Sequence, residues 1–198
     1  TLTEEIYSLV PLSTGDYSLE FADLAWSVIR PQAGAIAKQV EARTATALSA
    51  TPVAADITYA PESPASAFTA ARRFLRDNGV PSTARLIAAV GSGVYADLLD
   101  APAGKGFDAD GKVKGFTIVE STRIAAGDIV AFIPEAFTLV VRAPANPEGA
   151  AYAASVATPI DDKDPRSMSF AVRSVIAFDA SLAVDRSLVS ALVKVQAM

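Results

Sequence analysis

From Asp23 onward, apolar side chains fall at three- and four-residue steps: Leu24, Val28, Ile29, Ile36, Val40 and Leu48. That spacing predicts a long helix with one buried stripe and Asp23 as its N-cap. Pro31 sits inside the pattern, and a residue without a backbone donor predicts a kink or a restart there. Ala35–Ala50 is rich in alanine, the strongest helix former, and small enough to let neighbours come close. A second helix is predicted over Ala65–Asn78, with Phe68, Ala71 and Leu75 on one stripe and Arg72, Arg73 and Arg76 around it. Asn78-Gly79 followed by Pro81 supplies its stop.

Between and after these helices the pattern changes period. Glu4–Leu19 reads as a strand remnant running into a turn at Pro11, Ser13, Gly15 and Asp16. Ile57-Thr58-Tyr59 is a short strand candidate inside the proline-punctuated connection Thr51–Pro64. Arg85–Val90 reads as a buried strand and Val94–Leu99 as a short helix; Phe116–Val119 and Ile129–Phe132 are strands separated by the turn at Gly127-Asp128. Pro134–Arg142 fits helix and strand equally. Phe170, Val172, Ser174, Ile176 and Phe178 alternate with Ala171, Arg173, Val175 and Ala177, the period of a strand, and Leu188–Val195 gives a last one. Strands that follow helices and pair at long range predict an α+β fold rather than a repeating βαβ unit. Thr51–Pro64, Ala101–Gly115 and Asn146–Pro165, the last with a small helix or strand near Tyr152, are longer than ordinary connections. Such segments are expected to be surfaces completed by neighbouring subunits.

Composition narrows the function. The chain has 198 residues, 51% hydrophobic and 20% charged, enough for a sizeable core in one domain or one domain with a small lobe. Its net charge of −5 argues against an electrostatic nucleic-acid binder. No apolar run approaches the length of a bilayer span. With no cysteine and no histidine, the chain has no disulfides, cysteine nucleophiles, Ser-His-Asp triads or ordinary zinc sites. The sequence opens at Thr1 without Met or signal peptide, and the expectation is a front that has been processed or trimmed.

The candidate chemical motifs each lack a required residue. Gly91-Ser92-Gly93 follows an apolar strand and precedes a helix, the place of a phosphate loop, but position 96 is Ala where a dinucleotide fingerprint has its third glycine. No acidic residue ends a following strand at the expected distance. Ala103-Gly104-Lys105-Gly106 evokes a P-loop without the upstream glycine or the Ser/Thr after Lys. Phe107-Asp108-Ala109-Asp110-Gly111 evokes a calcium loop, with Gly106 in place of the first acidic ligand and Thr117 in place of the bidentate Glu. Asp161-Asp162-Lys163-Asp164 reads as a solvated loop. Glu120 with Asp128 or Glu135 would be a carboxylate pair only if the fold joined them. Arg72, Arg73 and Arg76 suit either phosphate contacts or salt bridges to a neighbouring subunit, and an acidic chain favours the second. No catalytic, cofactor-binding or metal-ligating residue is assigned.

One resemblance runs through the order of elements. The section ARRFLRDNGVPSTARLIAAVGSGVYADLLDA resembles major capsid (coat) proteins of tailed bacteriophages with the Hong Kong 97-type fold. Its parts are a helix ending in Val80-Pro81, the Arg85–Val90 strand, and a helix with Tyr95 ending in Leu98-Leu99. Gly115–Ser121 looks like that family's Gly-Phe strand and Glu-Ser turn, and Ile129–Ala143 is similar to the apolar element after it. The resemblance implies that the Asp23–Leu48 helix is a spine helix and Glu4–Leu19 the return of an extended loop. Residues 1–64 would belong to a peripheral domain, 65–165 mainly to an axial domain, and 166–198 would return strands to the peripheral domain.

The implied function is a non-enzymatic subunit of a phage or prophage icosahedral shell, self-assembling into pentamers and hexamers around DNA. Its implied partners are copies of itself, scaffolding and portal proteins, and packaged DNA held non-specifically, with no cofactor and no membrane. Its implied location is the virion capsid, and the host cytoplasm during assembly. An acidic balance would keep packaged DNA from sticking to the wall. The N-terminal arm and most of the extended loop have no counterpart, so this chain alone is expected to assemble poorly; closed shells in electron micrographs would contradict that. Two alternatives stay open: an encapsulin-type compartment shell loaded with cargo enzyme, and a nucleotide-binding α/β enzyme using Gly91–Gly93.

Overall fold

The computed structural model describes residues 4–13, 15–16, 21–52, 54–102, 104–150, 152–159, 169–181 and 183–198. In chain order the elements begin with β1 (Glu5–Leu12), α1 (Phe21–Leu24), a π-helical turn (Ala25–Ile29), α2 (Arg30–Ala50) and α3 (Pro64–Asp77). There follow β2 (Leu86–Val90), α4 (Ser92–Asp100), β3 (Lys112–Val113), β4 (Phe116–Glu120) and β5 (Ile129–Phe132). A 3-10 turn at Pro134–Ala136 leads to β6 (Phe137–Arg142), β7 (Tyr152–Pro159), β8 (Ser169–Asp179) and β9 (Val184–Ala197). These make the α+β fold expected from the sequence. They form two compact units, Thr1–Arg43 with Leu139–Val195, and Thr44–Thr138 with Gln196–Met198.

In the first unit the first strand of the chain pairs with the last. The sheet runs β1-β9-β8-β7, antiparallel throughout, and β6 also pairs with β9. Pro11 is tolerated in β1 because, among the described strands, β1 is an edge bonded to β9 alone. The predicted helical stripe packs on this sheet: Ile29, Ile36 and Val40 meet Ile6, Val141, Val189, Ala191 and Val193. One polar residue stands in the stripe. Gln32, only 2% exposed, donates from Nε2 to the carbonyls of Ser8 (2.9 Å) and Ser187 (3.0 Å), and its Oε1 accepts from the Ser187 hydroxyl at 2.7 Å. A buried amide with these partners ties one helix to two strands and leaves none of the groups it touches unmet.

The break predicted at Pro31 takes a particular form. The Arg30 N–H donates to the Ala25 carbonyl, five residues back, so the turn just ahead of the proline is widened. In a regular helix the ring would press on the carbonyl four residues earlier, and a π-turn relieves that without ending the helix. Asp23 is not the cap. The helix begins at Phe21, which puts Asp23 in the first turn, where a carboxylate suits the helix dipole.

The second unit holds a mixed sheet in the order β3-β4-β2-β5, with β2 parallel to β4 through α4 and antiparallel to β5. Phe68 of α3 and Phe116 of β4 meet edge-on at 5.9 Å, fully buried among Leu86, Ala88, Val90, Val94, Leu98 and Val113. Ala89 points away from Ala88 and Val90 and joins Leu48, Ile124, Val130, Phe132 and Phe137 in a second cluster. α3 starts on Pro64, where a missing N–H costs nothing, and ends in a Schellman motif. There Gly79 has φ 88°, its N–H donates to the Arg76 carbonyl, and the Val80 N–H donates to the Leu75 carbonyl.

Several expectations are corrected. Ile57-Thr58-Tyr59 is not a strand; it is held by side chains, with the Tyr59 ring on the core and its hydroxyl donating to Asp97 at 2.7 Å. The Ala101–Gly115 loop contains β3, which turns back on β4 through Lys114-Gly115, both at positive φ (50° and 88°), a primed hairpin turn. Pro134–Arg142 resolves into the 3-10 turn and β6. The irregular Asn146–Pro165 contains β7, whose run YAASVATP is too rich in small residues to show alternation, yet pairs with β8 from Tyr152↔Ile176 to Pro159↔Ser169. The last strand starts at Val184, before Leu188, because ladders to β1 and β8 hold Asp185, Arg186 and Ser187 despite their polarity.

Candidate functional site

Gly91-Ser92-Gly93 sits at the N-terminus of α4, as a phosphate loop would, but the space in front is filled by the chain itself. The Val94 N–H donates to the Ala126 carbonyl and the Gly91 N–H to the Asp128 carbonyl, both at 3.0 Å. A Cβ on Gly91 would lie 2.0 Å from the Ala125 carbonyl oxygen, and one on Gly93 2.9 Å from that of Ala126. The glycines let the 125–128 turn press against the helix end. Two of the donors at this helix end, the N–H groups of Gly91 and Val94, already have an acceptor, and the turn occupies the approach.

The other motifs also resolve into local structure. Asp108 accepts the N–H groups of Asp110 (3.1 Å) and Lys112 (2.8 Å), an Asx-type turn that organises the approach to β3. Among the described residues no cluster of three or more His, Cys, Asp or Glu gathers for a metal. In the P-loop-like stretch, a Cβ on Gly106 would lie 2.4 Å from the Leu98 carbonyl oxygen, and Ala103 lies outside the described residues. Glu120 and Asp128 flank Val90 at one end of the sheet, both exposed, and Glu135 follows β5 at its other end. Neither carboxylate has the burial that an acid catalyst uses to hold its proton. Asp161-Asp162-Lys163-Asp164 lies outside the described residues.

The three arginines of α3 part ways. Arg73 pairs with Asp77 at 3.5 Å in an exposed i,i+4 bridge. Arg72 donates to the Lys114 carbonyl at 2.8 Å, and Arg76 is held by the carbonyls of Val80, Pro81 and Ser82. Arg72 and Arg76 share a cavity of about 460 Å³ with Arg85 and Lys112. The sequence pointed to the α3 arginines; that Arg85 and Lys112 join them follows from the fold.

Large apolar side chains are left uncovered. In the first unit, the β7–β8 register puts Tyr152, Val156 and Phe178 on one face of the sheet, all exposed. Tyr7 and Leu9 are exposed on β1, alternating with buried Ile6, and Trp26 stands out from the π-turn with the Arg30 guanidinium 4.3 Å from its ring centre. In the second unit Leu99, Val119 and Met198 are exposed. Single exposed apolar residues are ordinary, but three on one face of neighbouring strands form a surface suited to covering.

No family model matches the sequence, and no curated protein does. Solved structures do. A structure from Mycobacterium phage Che8 aligns with 99% of this chain and 67% of its own at 18% identity, with a TM-score of 0.60. A virus-like particle from Pyrococcus furiosus aligns with 98% of this chain and 72% of its own at 12% identity, with a TM-score of 0.58. The chain shares the fold of these two structures. At such low identity the agreement lies in the arrangement of elements, and it takes in both units rather than one supersecondary piece. Among the described residues no helix is long and apolar enough to cross a membrane.

Proposed function

We propose that the chain is a structural subunit of a phage or prophage icosahedral capsid with the Hong Kong 97-type architecture. It assembles into pentamers and hexamers that enclose DNA. The observation that carries this is the whole-chain agreement with the phage Che8 and virus-like-particle structures, together with a long helix that packs here on a sheet made from the chain's first and last strands. That arrangement fits a spine helix on a peripheral sheet. Residues 1–64 and 166–198 then belong to the peripheral domain and 65–165 mainly to the axial domain, with β6 and β7 lending strands to the peripheral sheet.

The uncovered apolar side chains of β1, β7 and β8 support self-association, since shell subunits bury large surfaces against copies of themselves. Scaffolding and portal proteins are the further partners, and the virion the final location, reached from the host cytoplasm. The subunit catalyses nothing and carries no cofactor. The plugged N-terminus of α4 weighs against a nucleotide-binding enzyme.

A second shell, the encapsulin-type compartment, keeps the fold and changes the contents, and the likeness to a virus-like particle favours it. Sedimentation of the product of the complete gene, expressed in its host, tests both. Particles of megadalton mass are expected, and a species that stays monomeric at every concentration overturns the shell. Nuclease-resistant DNA inside the particles supports the capsid, and an enzyme cargo without DNA supports the compartment.

A further inference from the structure

Arg72, Arg76, Arg85 and Lys112 stand around one cavity of about 460 Å³ in the second unit, with Thr83 and Thr117 also in its wall. Among the described residues no carboxylate lines it. For a chain with 22 acidic against 17 basic residues, four cations without an acid among them is a marked local reversal of charge. Arg72, Arg85 and Lys112 are exposed, and an anion held among them would relieve the repulsion between like charges.

Two carboxylates close in sequence to these cations have partners elsewhere. Asp77 pairs with Arg73, outside the cavity, and Asp108 holds the backbone N–H groups of Asp110 and Lys112. The cations are also positioned in advance. Backbone carbonyls fix the guanidiniums of Arg72 and Arg76, and a Cβ on Gly115 would lie 2.7 Å from Arg72 Nη1, so the hairpin turn is shaped around that group. The Lys114 bond engages one terminal nitrogen of Arg72, and a guanidinium has further N–H donors to give. Sheet register sets Lys112 opposite Thr117, and Thr117 opposite Ile87, two residues beyond Arg85. Cations and hydroxyls therefore converge from α3, β3, β4 and the start of β2.

We propose that this cavity is a binding site for a small oligophosphate anion. Guanidinium forks match phosphate oxygens, and hydroxyls complete the coordination. The volume suits a small ligand rather than a stretch of nucleic acid, which needs an open, basic groove. The site lies at the start of β2, at the opposite end of that strand from Gly91-Ser92-Gly93. It does not depend on shell assembly, because binding is read on the subunit itself.

Isothermal titration of the purified chain with sodium tripolyphosphate at low salt is the test, with orthophosphate and oligodeoxythymidine as parallel arms. Tripolyphosphate is expected to bind more tightly than orthophosphate, and its affinity to fall as sodium chloride is added. Arg85→Ala with Lys112→Ala is expected to weaken it about tenfold or more, since each removes a charge-assisted contact. Arg73→Ala, outside the cavity, is expected to leave it unchanged. Far-ultraviolet circular dichroism checks that the variants fold, and nuclear magnetic resonance shifts at Thr83 and Thr117 locate the ligand without any variant. Absence of binding at millimolar tripolyphosphate overturns the proposal. So does binding that survives the double substitution, or shifts confined to other residues. Oligodeoxythymidine binding more tightly than tripolyphosphate, and lost with the same two residues, overturns it in favour of a nucleic-acid backbone site.

Discussion

α3 meets its sheet through an aromatic pair and a full apolar stripe, whereas α2 meets its own through β-branched side chains and one buried amide. The partners of α3 lie close in sequence, in the strands and helix that follow it. Those of α2 come from both ends of the chain, Ile6 on one side and Val189 to Val193 on the other. A core built from neighbouring segments can form early, while a sheet that needs the last strand to meet the first must close a long loop. The second unit thus resembles an ordinary βαβ core with an added hairpin. The first depends on long-range pairing, and its β7–β8 edge keeps apolar side chains exposed.

The contrast can be broken most severely in the aromatic core. Phe68→Ala, at 0% exposure, is expected to destabilise the second unit by about 3–5 kcal/mol in urea unfolding. A loss under 1 kcal/mol would mean that the core is not centred there. Gly91→Ala comes next, with an expected cost of about 3 kcal/mol, because its Cβ cannot coexist with the Ala125 carbonyl. A solvent-facing phosphate loop would accept alanine with little change, so the same melt separates the two accounts of that motif.

In the first unit Gln32→Leu is expected to cost about 1–3 kcal/mol, since it strips the buried Ser187 hydroxyl of its acceptor. A neutral result would show that α2 is held by its apolar contacts alone. The Tyr59–Asp97 bond gives a pH handle on the second unit. Burial, and then the Asp97 carboxylate, hold the Tyr59 phenol well above its ordinary value of 10.0. A raised pKa stabilises fully below that ordinary value and is lost as pH climbs past it. Melting temperature is therefore expected to decline above about pH 10, and less steeply in Tyr59→Phe. Equal slopes would remove the bond from the account. Smallest of all, Arg73→Ala should change stability by less than about 0.5 kcal/mol, because its bridge to Asp77 is exposed.

How much of this was legible follows the same division. In the second unit the stripe of Phe68, Ala71 and Leu75, the stop at Asn78-Gly79 and the short apolar runs of β2, β4 and β5 carried their own signals, because each is local and strongly patterned. The two-residue β3 was not legible, since its turn uses Lys114, an unusual residue at positive φ. In the first unit the alternation of β8 was clear, but β7 was hidden by alanine and serine, and its status as a strand depends on β8 lying beside it. The amide of Gln32 could not be foreseen at all, because its partners Ser8 and Ser187 lie 24 and 155 residues away. Glycine spacing drew attention to the end of β2 that the 125–128 turn packs against. The cations that gather at the other end come from three segments, α3, the residue ahead of β2, and β3, and no motif joins them.

Cryo-electron microscopy of particles from the complete gene product tests the shell account most directly. Closed shells of uniform diameter are expected, with fivefold and sixfold capsomers and the α2 helix resolved across its antiparallel sheet in each subunit. Product that stays as separate subunits under every assembly condition, or that forms only open and irregular aggregates, would contradict it.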